Sequence, residues 1–447
     1  MNPRKAQRVA VIGSGAAGLS AAWLLSKQHH VTLLERDDRL GGHAHSVNTG
    51  DETAPVIDTG FIVYNEPSYP NLTRWFRNMG VETEPSNMSF SVSRDSGNFE
   101  YAGGPALGLL AQPSVLLRPR FYRMLKDLVR FYRDAPTHVR SHPGLTLGEF
   151  LQAGRYSQAF LDDHLMPFAA AIWSASPQTM LAYPAEAFIR FCDNHGLLRL
   201  TNRPQWRTVS GGSRRYVEQI ALTLGDSNIR TSHQVVSIKR QASKVDIICN
   251  NGECLTVDHV VIAAHADQAL AMLATPSEQE AKLLGAFKYE KNRAILHSDS
   301  SFMPKRKRAW CSWNYVEAKA LEDKVCVSYW MNRLQNLSGK RDYFVTLNPS
   351  SEPTSSSVVT ESNYAHPVFN TEAMQAQQQL WSLQSHNRTW FCGSYFGSGF
   401  HEDAVQSGFA VAEQLGGLSR PWQLDNPSTR IVVKPGTKRS VEALPAS

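Results

Sequence analysis

Three glycines and one acid in the first stretch of the chain are spaced to hold a nucleotide diphosphate and its ribose. They lie in Gly13-Ser14-Gly15-Ala16-Ala17-Gly18 and at Glu35. Gly13 permits a tight turn, Gly15 lets backbone N–H groups approach a pyrophosphate, and Gly18 allows a following helix to pack closely. The helix N-terminus near Ala16 and Ala17 adds unpaired N–H groups and the positive end of a dipole, which favour an anion. Glu35 stands 17 residues after Gly18, where its carboxylate would accept ribose hydroxyls. A second pair, Gly41-Gly42, lets another backbone loop reach the same ligand, and Gly60, in Asp58-Thr59-Gly60-Phe61, suits close approach to a flat ring. No Ser/His/Asp order, metal-ligand spacing or paired-carboxylate motif accompanies them, so no metal is expected. His195, His297 and His401 are the histidines singled out as candidates for proton transfer or structural hydrogen bonding.

The elements that must position these residues follow in order. An apolar strand Val9–Ile12, a helix Ala16–Lys27 and a strand Val31–Leu34 ending at the acid make a Rossmann-type unit. The nucleotide fold resumes near Arg207, with Gly211-Gly212 before a helix from Arg214 to Leu224. Hairpin strands around Asn250-Asn251-Gly252 then lead to a buried strand at Asp258–Ala264. It returns once more at Thr389–Gly393, followed by a helix through Gln414. These returns, read with Gly41-Gly42, imply that separated segments visit one ligand. Between them, residues 71–203 read as helices with aromatic and basic residues, and 266–388 as strands rich in tryptophan and tyrosine. Within the helical part, Phe121–Arg133 places Arg123, Lys126, Arg130 and Arg133 beside an apolar stripe. Such a helix either touches an anionic membrane or turns its basic face to water. The basic loop Met303–Arg308 is open to the same two readings.

With 447 residues and 42% hydrophobic composition the chain can build a large core, and no apolar run is long enough to span a bilayer. Six cysteines without CxxC spacing predict reduced, structural thiols. A net charge of +6 is too small and dispersed for nucleic-acid binding but favours an anionic surface. The opening residues run into a strand rather than a signal sequence, so a cytoplasmic location is expected, with membrane contact on the inner face as an option.

The run Val9–Gly60 resembles the flavin-dependent amine oxidase and phytoene desaturase superfamily. The strings GFIVYNEPSYPNL (60–72), MSFSVS (88–93), IWSASP (172–177), FCDNHGLL (191–198), VSGGSRRYV (209–217), SWNY (312–315), YWMN (329–332) and GFHEDAVQSG (399–408) are similar to a bacterial subgroup of predicted NAD/FAD-binding proteins. The resemblance implies non-covalent FAD in a discontinuous α/β, Rossmann-like domain of the glutathione-reductase/amine-oxidase type, with an α+β substrate domain. The expected boundaries are 1–70, 205–275 and 386–420 for the FAD-binding domain and 71–204 and 276–385 for the substrate domain, with 421–447 a weakly ordered tail. Cofactor contacts implied are Gly13, Ser14, Gly15, Ala16, Ala17, Gly18, Glu35, Gly41, Gly42, Gly60, Phe61, Val235, Gly393, Glu402, Asp403 and Ala404. The family's two arginines after the ribose acid correspond here to Asp37 and His43, leaving Arg36 or Arg39 to substitute. A lysine near flavin N5 has only Lys288 and Lys291 as counterparts, out of convincing register, and His401 stands nearest the inferred ring.

The implied activity is that of an FAD-dependent oxidoreductase, a dehydrogenase or desaturase acting on a lipid or modified fatty acyl chain. The alternatives are an amine oxidase acting on a soluble amine, with Trp313 and Tyr315 as its aromatic cage, and a non-redox flavin isomerase or mutase. Oligomeric state is open.

Overall fold

The computed structural model describes residues 5–50, 55–103, 108, 111–173, 176–317 and 326–433. Ser174 and Ala175 of the IWSASP string and the end of the expected tail lie outside these residues.

Apolar, β-branched runs form a five-stranded parallel sheet in the order Ile229–Arg230, His30–Leu34 (β2), Arg8–Ile12 (β1), His259–Ile262 and Thr389–Phe391. Every pairing in it is parallel. Strand order reverses at β1, which has β2 on one side and a strand more than two hundred residues later on the other. Open parallel sheets bind ligands beyond the carboxyl ends of strands at such a point. The turn Gly13–Gly15 lies there, with helix α1, Ala16–Leu25, behind it.

All ten residues of α1 are buried, including Ser20, so the helix shows no polar face. The cause is the helix His401–Gly416, which packs along it and buries thirteen of its own residues. Contact is backbone to backbone: a Cβ on Gly408 would fall inside the van der Waals shells of the Ala17 carbonyl and the Ser20 hydroxyl.

A seven-stranded mixed sheet carries the aromatic strands, in the order Val358–Val368, Lys288–His297, Phe344–Leu347, Val327–Trp330, Trp313–Val316, Phe90–Arg94, Phe99–Gly103. Helices Pro119–His138, Leu147–Ala153, Met166–Trp173 and Ala185–Asn194 complete that part of the molecule. The helix read at Phe121–Arg133 is therefore longer, and it buries Phe121, Met124, Phe131 and Tyr132. Among the described residues no helix is long and apolar enough to cross a membrane.

Residues 421–433 are better anchored than the expected loose tail. Trp422 stacks on Trp23 at 6.2 Å, and Arg430 pairs with the buried Asp403 at 2.7 Å. Gly408→Ala tests the helix contact: overpacking at backbone should cost at least about 2 kcal/mol. The expected readout is a lower melting temperature in scanning calorimetry, and an unchanged one would contradict the packing described.

Candidate functional site

One cavity of about 1290 Å³ runs from the carboxyl end of the parallel sheet to the mixed sheet. It exceeds the ~300–1,000 Å³ of ordinary ligand pockets, leaving room for a dinucleotide and a second molecule. At the nucleotide end its wall includes Gly13, Ser14, Gly15, Ala16, Ala17, Glu35, Arg36, Asp37, Arg39, Gly42 and His43, with Val235 from a separate hairpin strand. The backbone there is shaped for contact. Gly13 has φ +96°, and its Cβ would sit 2.8 Å from the Ala263 carbonyl oxygen, while Gly18 faces the Gly13 carbonyl too closely for any side chain. Gly15 differs, since a Cβ there meets nothing within 4 Å, and its φ of −66° suits any residue. Its missing side chain keeps space open rather than relieving a clash within the protein.

Glu35 is buried and already organises this loop. Its Oε2 accepts from the Ser14 backbone N–H at 2.8 Å and the Ser14 hydroxyl at 2.5 Å, and its Oε1 accepts from the Asp37 N–H at 3.0 Å. Remaining lone pairs suit hydroxyls at the cavity edge. Arg39 donates to the Gly42 carbonyl at 3.0 Å, whereas Arg36 is half-exposed and pairs with Asp37 at 3.3 Å. His43 is buried beside Tyr364 and His366, at ring distances of 5.0 and 5.5 Å. Burial first, then the neighbouring His366, holds its imidazole well below the usual histidine range.

At the far edge of the nucleotide arm, Gly60, Phe61, Gly393, His401 and Ala404 line the cavity. Gly60 is required by the His43 carbonyl, which lies where its Cβ would be. Phe61 stacks on His401 at 3.8 Å and 12°, and His401 Nε2 lies 3.2 Å from the Tyr216 hydroxyl. Glu402 and Asp403 are turned away from the wall. Glu402 accepts from the backbone N–H groups of Asn71 and Leu72 and from the Asn71 and Gln406 side chains, and Asp403 accepts from the Phe400 N–H and pairs with Arg430. They hold the start of their helix to the rest of the protein instead of facing a ligand. Gly18 and Gly41 likewise shape the loop from behind the wall.

Gly211-Gly212 serves a different knot. A Cβ on Gly212 would meet Ser46 at 2.8 Å, and next to it the Ser213 N–H and hydroxyl donate to buried Asp58, together with Ser46 and the Gln335 side chain. The expected visit to the ligand by this pair is therefore replaced by a tie between segments. Lys288 donates to the Gly285 carbonyl and does not reach the cavity, and Lys291 lines it but is exposed. His297 bonds to Thr346 within the sheet. His195, by contrast, is buried on the wall against Phe191 at 3.9 Å.

The second arm is apolar and aromatic: Met88, Phe90, Tyr132, Phe168, Ile172, Trp173, Trp313, Tyr329 and Leu347 line it. Tyr315 of the imagined amine cage does not. His164 sits there with both ring nitrogens engaged, Nδ1 with the Tyr101 hydroxyl at 2.9 Å and Nε2 with that of Tyr132 at 3.0 Å. Sequence reading missed His164, Tyr364, His366 and the Ala263-Ala264-His265 turn. Only the last had a local signal, as the end of a buried parallel strand at the switch point.

Five wall residues carry a buried polar atom without a partner: His43 Nε2, Trp173 Nε1, His195 Nε2, Trp313 Nε1 and the Tyr395 hydroxyl. Buried polar atoms normally have partners, so their convergence on one space is what an occupant with acceptors and donors would satisfy. The cradle of open Gly15, Glu35 and helix start fits the dinucleotide half of a flavin cofactor.

Comparisons with known proteins agree. The family described as "Flavin containing amine oxidoreductase" matches residues 16–302. The 15-cis-phytoene desaturase of Narcissus pseudonarcissus is 24% identical over 283 residues, 59% of this chain and 48% of that protein. Flavin-containing amine oxidase A of Sus scrofa is 24% identical over 269 residues, 57% of this chain and 49% of that protein. The chain thus spans about half the length of the curated relatives it matches. Among solved structures, a fatty acid isomerase from P. acnes that produces CLA has a TM-score of 0.62 at 17% identity, covering 90% of this chain and 97% of that one. Cyclohexylamine oxidase from Brevibacterium oxydans IH-35A has a TM-score of 0.66 at 16% identity, covering 92% and 99%. At these identities the structures establish the fold, and the cofactor of the family is FAD.

Gly15→Val should keep the melting temperature of the cofactor-free protein and yet purify without stoichiometric FAD, read from the yellow absorbance band. Retention of the full band would refute the cradle. A second expectation concerns pH. Burial pushes His164 and His401 down to about 3 and His366 to about 4, whereas an unfolded histidine titrates near ~6.5. As pH falls below ~6.5 the unfolded chain takes up protons that the folded chain refuses, so stability is complete above that value and lost on acidification. Burial raises Asp58 to about 6 and raises Glu402 and Asp403 as well, which opposes the trend, but the rings that burial lowers, with His43, His195 and His265 among them, outnumber these three carboxyls. The melting temperature of the cofactor-free protein should therefore fall between about pH 6.5 and 4. A rise over that interval would contradict neutral burial of these rings.

Proposed function

The chain belongs to the flavin containing amine oxidoreductase family, and from that premise we propose that it is an FAD-dependent dehydrogenase or desaturase acting on a lipid or modified fatty acyl chain. The observation that carries the substrate class is the charge pattern of the cavity. Its acidic wall residues, Glu35 and Asp37, both stand at the nucleotide end, and the second arm is lined by apolar and aromatic side chains. An ammonium substrate entering that arm would be stripped of water without a carboxylate to pair with, at a cost of several kcal/mol. A hydrocarbon chain instead gains roughly 25 cal/mol for each Å² it removes from water. The relative named as a phytoene desaturase supports the same choice, while those named as amine oxidases support the wider family.

Bound FAD supplies the acceptor for a hydride leaving a C–H bond. The protein's part is to exclude water with the Phe90, Phe168 and Trp313 wall and to hold the chain against the ring edge. His401, neutral and fixed between Phe61 and Tyr216, and His195, with a free Nε2 on the wall, are neutral rings placed to pass a proton on, accepting at one nitrogen as the other donates, rather than to keep it.

Anaerobic mixing of the yellow protein with dispersed acyl phospholipids should bleach the flavin band and yield a lipid two hydrogens lighter by mass spectrometry. Peroxide release with a panel of soluble amines, with no response to lipids, would overturn the substrate assignment. A rearranged chain of unchanged mass without bleaching would replace dehydrogenation by isomerisation.

A further inference from the structure

The cavity opens beside a surface that resembles neither a core nor an ordinary solvated face. Eight large apolar side chains are exposed among the described residues, and four of them lie in two segments that reach the cavity wall at Tyr132 and Arg203: Leu117 at 85%, Tyr122 at 55%, Val129 at 44% and Leu200 at 55%. Leu117 ends the short turn Pro113–Leu117 just before the helix Pro119–His138, and Tyr122 and Val129 stand on the outer side of that helix. At 3.6 residues per turn, Val129, Tyr122, Lys126 and Arg123 fall on a single arc about 120° wide. The same helix turns Tyr132, next to that arc, into the cavity wall.

Charge on this face is one-sided. The acids of the helix are consumed locally: Asp127 pairs with Arg130 and Asp134 with Arg133, while Arg120 pairs with Asp162 and Asp163 of the neighbouring segment. Among the described residues, Arg118, Arg123, Lys126 and Arg203 form no ion pair and carry uncompensated charge. Arg203 is exposed and lines the cavity together with Tyr132 and His164, so the cavity reaches the surface at the Leu200–Arg203 segment, on the side that Tyr132 of the helix walls. A solvated helix face needs charge but not exposed leucine, tyrosine and valine between the charges. A protein partner would leave the four cations to be matched by acids at particular positions, whereas an anionic bilayer matches them anywhere on its surface and accepts the apolar side chains between its head groups.

We propose that the outer arc of helix Pro119–His138 and the Leu200–Arg203 loop dock on an anionic lipid bilayer, placing the cavity mouth beside Tyr132 against the acyl layer. The inference rests on the lipid-chain reading of the cavity, which it deepens by stating how the substrate arrives. Substrate then passes from bilayer to cavity without crossing water, and Arg203 meets the anionic head group at the rim.

Flotation of the FAD-loaded protein with vesicles tests it. The protein should rise with phosphatidylcholine vesicles containing phosphatidylglycerol and stay behind with pure phosphatidylcholine, and added salt should release it. Arg123→Glu with Lys126→Glu, and separately Leu117→Asp with Tyr122→Ser, should each lower vesicle-bound protein by about tenfold or more. Flavin content and melting temperature, which report folding, should match the unaltered protein. Flotation that ignores vesicle charge, or variants that float like the parent with flavin intact, would overturn the docking face. Anaerobic bleaching by detergent-dispersed acyl lipid separates this from the substrate reading. Bleaching without flotation sinks docking alone, and flotation without bleaching by any acyl lipid sinks the substrate while the surface stands.

Discussion

Close approach of three backbones is the condition on which the site depends. The turn at Gly13, the strand end at Ala263 and the helix at Gly408 crowd around α1 at distances that no Cβ would permit. Once they are that close, the start of α1 and the start of the late helix both open on one cavity, and the positive ends of two helices face the same space. Hydrophobic burial drives the assembly, but glycine sets its geometry: the entire surface of α1 is covered because two residues without side chains let its neighbours reach it.

Buried carboxylates then hold the pieces in register. Asp58 gathers donors from the second loop, from Ser213 and from Gln335, which lie far apart in the chain. Glu402 caps the helix at Asn71 and Leu72, and Asp403 secures its own helix start while pairing with Arg430. Each takes donors that would otherwise be left unsatisfied in the interior, a larger effect than the net worth of an ordinary hydrogen bond. These three carboxylates are structural ties, and the cavity wall is left to Glu35, glycine, backbone and neutral rings.

Much of this could be read in the amino-acid order because local rules govern it. Strand, glycine turn, helix and acid follow one another within thirty residues, and the hairpins around Gly252 have their own turn chemistry. Gly15, Glu35, Gly42, Gly60 and His401 were legible for the same reason. Glu402 and Asp403 were read as facing the ligand because position along a helix start says nothing of which way a carboxylate turns; the donors at Asn71 and Arg430 decided that. Gly211-Gly212 has a ligand-loop composition yet answers to Ser46 across the fold. The aromatic arm, with His164 locked between two tyrosines, is built from segments whose meeting no periodicity announces.

The same arrangement sets a clock for biosynthesis. Helix α1 is made well over three hundred residues before its cover, His401–Gly416. At roughly 5–20 residues per second a ribosome needs on the order of tens of seconds to deliver that cover. Throughout that interval the surface that α1 turns to this helix, apolar but for Ser20, has no cover. The cavity wall shares this order of synthesis, because Gly393, His401 and Ala404 line it together with Gly13, Gly15 and Glu35.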